Sequence, residues 1–475
     1  MNDTKNDDED DTCSSYLPTW ISDTDIDPKW IEKVTSLRGV VRCCVDDISN
    51  QGRRREEIRN GSTLRLHITY EQEEETTHDD NGQDRTTDVP NEERPKTLVI
   101  KQVPPAGRTQ SQMLGLAREA LFYQKLAPHI GLLHTIPKIY YSIGDMKSGS
   151  KLVLMEDLSN ASYLDSGILF GPGNPNNWDR DLPSCIAKAY SLRPEGGPSE
   201  EYGSNTTKSS SSILSRPPTS AQVARETFVA IAQIHATFWK KSELLSSSHA
   251  HYLRCANWIQ GLDRSSWEQS QGYIQGIWQG LLRDSGKMDT VIAWDPVVRA
   301  CVEKAMQGIS WESQLERLNP QSHWTLVHGD FWPGNVLIAT RAATTTTDSS
   351  ASSSSQLPLK LLDWEMVGVG SGPQDLGQYI LSNMDPQERR ECEYSLIRAY
   401  YEALIQAGGN VQDFTWEECW REYQIGGVER WLWFLVYFVG QEGVLLQWAQ
   451  FFHDQIQAFV TDHDITPDDI AQPRP

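Results

Sequence analysis

The sequence predicts an α+β protein with two lobes, a small β-rich lobe followed by a larger, mostly helical one. Three observations carry this. β-branched and aliphatic runs crowd residues 37–157, helical apolar spacing dominates from about residue 221 onward, and a short strand at 151–158 joins the two styles. A chain of 475 residues has room for such a two-lobed enzyme with insertions.

Along the chain, residues 1–30 read as an acidic disordered tail, 31–157 as the first lobe and 158–475 as the second. In the first lobe LRLHITY (64–70) and TLVIKQV (97–103) suit strands. Between 111 and 126, Met113, Leu116, Ala120 and Tyr123 recur at helical spacing. KLVLMEDL (151–158) is a further strand running into an acidic turn. In the second lobe Phe228, Ile231, His235 and Phe238 share a helix face, which makes His235 a core histidine. VLIAT (336–340) and LKLLD (359–363) read as a hairpin, and helical patterns fill 385–408 and 416–460. Segments 71–95, 191–220 and 341–356 are too polar or too simple to bury a core and read as insertions.

The formal charge is −22, and most of the acid excess sits in residues 1–13 and 71–95. Without a basic footprint, a nucleic-acid partner is excluded. No apolar run reaches the ~20 residues that span a bilayer. The longest, 431–439, is closed by Gly440-Gln441-Glu442 and reads as a buried helix. The N-terminus has no apolar core of the secretory kind. Eight Cys are scattered with no CxxC pair, which suits reduced thiols and no zinc site. These features predict a cytoplasmic protein, and none specifies an oligomeric state.

The strongest chemical signal is His328-Gly329-Asp330-Phe331-Trp332-Pro333-Gly334-Asn335, an H-x-D-x-x-x-x-N pattern just ahead of a strand. Phosphoryl transfer needs these two tasks. A carboxylate orients an acceptor hydroxyl and takes its proton, and an amide gives Mg²⁺ a neutral oxygen. The hairpin returns Asp363 to the side of Asn335, which makes a candidate Mg²⁺ site. Lys101 ends an aliphatic strand, as a lysine reaching ATP phosphates would, and Glu119 on the next helix can hold its ammonium. The backbone of Met155, Glu156, Asp157 and Leu158 is positioned to meet an adenine edge. No GxGxxG is present, and Asn60-Gly61-Ser62 is the candidate for a phosphate-covering turn. His328 is expected to anchor the loop, Asp375 to cap a helix or brace the loop, and Glu365 to stand at or behind the metal. Of the 17 Trp, most belong in the core, and Trp332 is best placed to line an acceptor pocket.

VIKQ (99–102), REALFY (118–123), LVLMEDL (152–158), IHATFW (234–239), LVHGDFWPGNVLI (326–338) and LLDWE with GPQDLGQ (361–378) recur in one order. In these blocks the chain resembles the aminoglycoside phosphotransferase / choline-kinase-like superfamily, with its CHK and ecdysteroid-kinase-like members. That is the small-molecule branch of the protein-kinase-like fold. The resemblance implies a bilobal kinase-like fold, ATP and Mg²⁺ as cofactors and a small-molecule acceptor. It implies Asp330 as catalytic base, Asn335 and Asp363 as metal ligands, and Lys101 with Glu119 as the phosphate anchor. The chain departs from choline kinases in carrying Gly329 where they carry Asn, and its glycine-rich loop is degenerate. HRD, DFG and APE signatures are absent, which argues against a protein substrate. A pseudokinase scaffold and a Mg-dependent phosphohydrolase are the rival readings. Sterol-like, amino-alcohol, sugar and antibiotic acceptors all stay open.

Overall fold

The structure is a computed structural model that describes residues 19–21, 26–48, 62–71, 94–131, 133–160, 163–190, 217–255, 260–261, 264–284, 288, 290–308, 310–340, 357–408, 411, 413–441 and 444–471. Most of the acidic tail, the bulk of the three insertions and the Asn60-Gly61 turn lie outside the described residues.

Five antiparallel strands build the first lobe: β1 (Val40–Asp47), β2 (Ser62–Tyr70), β3 (Thr97–Gln102), β4 (Ile139–Asp145) and β5 (Ser150–Glu156). Their order in the sheet is β1-β2-β3-β5-β4. Strand alternation divides the side chains between two faces. Leu64, Leu66, Leu98, Ile100, Leu152 and Leu154 face a core closed by Ile21, Ile26 and Ile31. Ile31 belongs to helix α1 (Pro28–Thr35), which starts inside the stretch read as a tail. Asp27 caps that helix by accepting from the Lys29 N–H at 3.0 Å, and Pro28 fills its first position.

The opposite face, with Val99, Lys101, Val153 and Met155, looks toward the second lobe. Against it lies a helix that the spacing predicts as continuous over 111–126. The structure breaks it into α2 (Arg108–Leu114) and α3 (Arg118–Lys125). Gly115 adopts φ +71° at the break, a conformation that ends a helix and suits glycine. Met113 is left 68% exposed, whereas Arg118 through Tyr123 are all buried.

In the second lobe, β6 (Tyr163–Asp165) joins β10 (Val336–Ala339) and β11 (Leu359–Leu361) in one small sheet. A second sheet has the order β8-β7-β12-β9, with β7 (Arg254–Cys255), β8 (Gln260–Gly261), β9 (Thr325–Val327) and β12 (Gly368–Gly370). The remainder is helical: α4 (Leu182–Tyr190), α5 (Ser220–Thr237), α6 (Arg264–Arg283), α7 (Pro296–Gly308), α8 (Trp311–Glu316), α9 (Gly372–Asn383), α10 (Pro386–Ala407), α11 (Trp416–Val439) and α12 (Val444–Asp462). All of α9 is buried. It meets α11 backbone to backbone, so that a Cβ on Gly377 would lie 2.5 Å from Gly427 Cα. The pattern over 416–460 is therefore two antiparallel helices rather than one. Trp431 stacks on Phe452 at 4.2 Å and Tyr423 meets Phe459 at 5.5 Å across the pair. No helix among the described residues is long and apolar enough to cross a membrane. The fold is α+β with two lobes, a five-stranded first lobe and a mostly helical second.

Candidate active site

The catalytic-type loop leaves β9 and is held rigidly from behind. Asp375, in the first turn of α9, accepts the backbone N–H groups of His328 at 2.7 Å and Gly329 at 3.1 Å. Both carboxylate oxygens are thus committed to the loop. Burial opposes the ionised Asp375, yet His235, His328 and Arg430 nearby keep its pKa below the ordinary value. His235 is fully buried, bonds Tyr400 Oη at 2.9 Å and stands 3.5 Å from Asp375.

His328 Nε2 lies 2.8 Å from the Leu362 carbonyl, and its Nδ1 accepts the Asp330 N–H at 3.3 Å. A carbonyl only accepts, so Nε2 carries the proton, and the ring ties the loop to the end of the hairpin. Gly329 has φ +79°, and a Cβ there would meet the Met366 carbonyl oxygen at 2.1 Å. No side chain fits there.

Asp330 is fixed by amides. Asn335 Nδ2 donates to the Asp330 carbonyl at 2.9 Å and to its Oδ2 at 3.1 Å, and Gln378 Nε2 donates to Oδ1 at 3.3 Å. Burial first, then the neighbouring Asp363 charge, raises the Asp330 pKa above the ordinary aspartate value, with Arg430 pulling the other way.

The hairpin behaves as its spacing predicts. Val336 pairs with Leu361, and the Leu362 N–H donates to the Asn335 carbonyl at 2.8 Å. Asn335 and Asp363 therefore sit at the same end. Asp363 takes φ +61°, a strained conformation for a residue with a side chain. The turn is anchored by buried Trp364, which stacks on Phe122 of α3 at 4.1 Å and lies 4.5 Å from His328. With Trp364 turned into the core, Asp363 and Glu365 both reach the cleft.

There they meet the first lobe. Lys101 Nζ is 3.0 Å from Glu119, 2.8 Å from Asp363 and 3.1 Å from Glu365. Burial works against this ammonium, but Asp363, Glu119 and Glu365 together raise its pKa well above the ordinary lysine value. Glu365 shows the converse. Burial opposes its ionisation, and Lys101 with Lys151 overcomes it, holding the pKa at about 2. The carboxylate oxygens of Glu119, Asp363 and Glu365 lie within 4.8 Å of one another.

The strand end at Met155–Leu158 stands apart from this cluster. The Glu156 N–H donates to the Lys138 carbonyl at 2.9 Å, and its carboxylate takes the Lys138 N–H and Lys360 Nζ, each at 2.8 Å. Asp157 pairs with Arg65 at 2.8 Å. The Glu156 N–H and the side chains of Glu156 and Asp157 are therefore structural, which narrows the adenine-edge expectation.

On the other side of Asp330 opens a cavity of about 140 Å³. Trp332, Trp431, Phe434, Phe438, Trp448 and Phe452 line it, with Asn174, Asn176, Gln378, Ser382 and Asn383 between them. Among the described residues, Asp330 is its only charged lining residue. The Trp332 ring lies across Gly334, where a Cβ would come within 2.2 Å of the ring.

Residues 217–412 match the model of the ecdysteroid kinase-like family. The match bears out the resemblance read from the motifs. The matched stretch spans the 328–335 loop, the Asp363-Trp364-Glu365 turn and Asp375. No curated protein matches the sequence. Solved structures similar to it include choline kinase from Cryptosporidium parvum Iowa II, at 10% identity over 90% of this chain and 92% of that one, TM-score 0.41. Choline kinase LicA from Streptococcus pneumoniae is 12% identical over 91% and 98%, TM-score 0.39. Macrolide 2'-phosphotransferase MphH from Brachybacterium faecium is 13% identical over 87% and 90%, TM-score 0.34. Likeness this distant bears on neither the acceptor nor the chemistry.

Two parts of this site are absent from the sequence reading. Lys151, at the start of β5, has no role in the motifs, yet it is 1% exposed and bonds Glu119 and Glu365. Strand parity with Val153 was the available signal. The pocket aromatics of α11 and α12 read as core, because nothing in their spacing says which rings border a cavity.

Proposed function

We propose that this chain is an ATP-dependent phosphotransferase that moves the γ-phosphate of ATP to a hydroxyl of a small, largely apolar acceptor. The observation that supports this most is that Asp330 stands between a cross-lobe cluster of Lys101, Glu119 and Asp363 and an aromatic pocket.

The donors fit Mg²⁺. Asp363 offers a carboxylate, and Asn335, whose NH₂ group is spent on Asp330, has its amide oxygen left to give. Bound there, Mg²⁺ supplies neutralisation of charge on the β- and γ-phosphates. Lys101, kept in place by Glu119, binds phosphate oxygens. Asp330 takes the proton of the acceptor hydroxyl, its carboxylate aimed by Asn335 and Gln378 and its raised pKa suited to a base. The backbone at Asp157–Leu158 meets the adenine. Asp375 and His328 hold the loop and touch no reactant.

Among the acceptor classes left open, the apolar walls favour an alcohol with apolar surface, and at about 140 Å³ the cavity would take part of a sterol-like acceptor rather than the whole of it. Its aromatic walls offer apolar area and its few amides and hydroxyls offer orientation. A cationic amino-alcohol would have Asp330 alone as counter-charge, with Arg430 bonded to Gln378 at 2.5 Å behind it. The reading takes the reaction to run in the cytoplasm, where ATP is at hand, with no nucleic-acid partner.

The test is incubation with γ-labelled ATP and a metabolite extract, followed by mass identification of the product. A phosphorylated apolar alcohol is expected. Mg·ADP binding without any labelled product would favour the scaffold reading. Absence of Mg-dependent nucleotide binding would remove the kinase reading altogether.

A further inference from the structure

Lys151 brings a second ammonium into the cluster. Register places it there: Lys101 pairs with Val153, so Lys151, two residues earlier on β5, is the diagonal neighbour of Lys101 on the same sheet face. Its Nζ lies 2.9 Å from Glu119 Oε2 and bonds Glu365 Oε1. Lys101 contacts the same two oxygens, at 3.0 Å and 3.1 Å. Two ammonium groups thus share two carboxylate oxygens. Asp363 differs. It touches Lys101 alone of the pair, and it is 36% exposed, against 1% for Glu119 and 20% for Glu365. Three carboxylates this close would, without counter-charge, either repel one another at considerable cost or attract a cation.

We propose that Lys151 is a positioning residue, a fixed counter-cation that retains Glu119 and Glu365 so that Asp363 is the carboxylate the cluster releases to a divalent ion. Lys101 can then turn to phosphate without stranding two buried acids. The purpose rests on the phosphotransferase reading, but the charge arrangement is testable without nucleotide.

The experiment is titration of the full chain with Mn²⁺ alone, read by loss of the free-ion resonance signal, alongside thermal melting. Lys151→Met is expected to bind Mn²⁺ about tenfold more tightly than wild type, as one removed positive charge a few ångströms away implies. Lys151→Met combined with Glu365→Gln should return to the wild-type affinity and regain part of the lost Tm. A purely structural lysine would lower Tm and leave Mn²⁺ affinity unchanged, and that result overturns the proposal. Should Lys151→Met not fold, Glu365→Gln alone decides. Mn²⁺ affinity about tenfold below wild type, the effect of one removed negative charge, is expected there, and a loss of about a hundredfold or more would make Glu365 a ligand and overturn the proposal. Lack of Mg·ADP binding by wild type would end the kinase reading while the Mn²⁺ comparison still judged Lys151.

Discussion

Where the lobes meet, Lys101 and Lys151 pair with Glu119, Asp363 and Glu365 through contacts of at most 3.1 Å, with one carboxylate charge in excess. On the helical side, six aromatic rings, four amides and the Ser382 hydroxyl line a cavity whose one charge among the described residues is Asp330. On the proposed function the first surface meets a ligand that is always the same, a metal-bound polyphosphate, and it is built from ion pairs with strict geometry. The second suits a ligand recognised by shape and apolar area, which many combinations of rings can satisfy. Asp330 belongs to both surfaces, so variants on either side should separate nucleotide effects from acceptor effects.

The largest effect is expected at the shared residue. Asp330→Asn should lower turnover by about 10³-fold, the scale of a lost general base, and leave Mg·ADP affinity within about threefold. Calorimetry beside a steady-state assay measures both. Next comes Lys101→Met, which removes charge-assisted contacts. Nucleotide affinity should fall about 10- to 100-fold with the acceptor KM unchanged, and a matching rise in acceptor KM would blur the division between the two surfaces.

A smaller and opposite pattern is expected from Trp431→Ala. Losing this ring from the pocket wall should raise the acceptor KM about tenfold and leave the ATP KM alone. The smallest effect is in pH dependence. The base must be deprotonated, and burial with the Asp363 charge raises the pKa of Asp330. Activity should therefore fall with acidification, and the acid limb of kcat/KM for ATP should lie above the usual aspartate range. A limb at the ordinary aspartate value would mean that the carboxylate is more solvated than its burial indicates.

The contrast also explains what was legible in the sequence. His328, Asp330, Asn335, Asp363 and Asp375 lie in two short blocks joined by a hairpin, so local spacing places them. Lys101 and Glu119 sit on consecutive elements. Even so, the helix carrying Glu119 is shorter than its periodicity suggests, because Gly115 turns the chain left-handed before it. Lys151 stayed hidden because its role comes from strand register, which residue spacing alone does not encode. The acceptor pocket was less legible still. Its wall draws on the 174–176 segment, the loop after Asp330, and helices α9, α11 and α12. Apolar periodicity predicts burial on these helices but not where a void is left between them. Trp332 was the exception, since it lies two residues from Asp330.

The most direct test of the central claim, that Asp330 faces a metal-bound triphosphate gripped by Asn335 and Asp363, is ADP affinity measured across a Mg²⁺ series in wild type and Asp363→Asn. The account predicts that Mg²⁺ strengthens ADP binding to the wild-type chain and leaves binding to the variant nearly flat. An equal strengthening in both would contradict it.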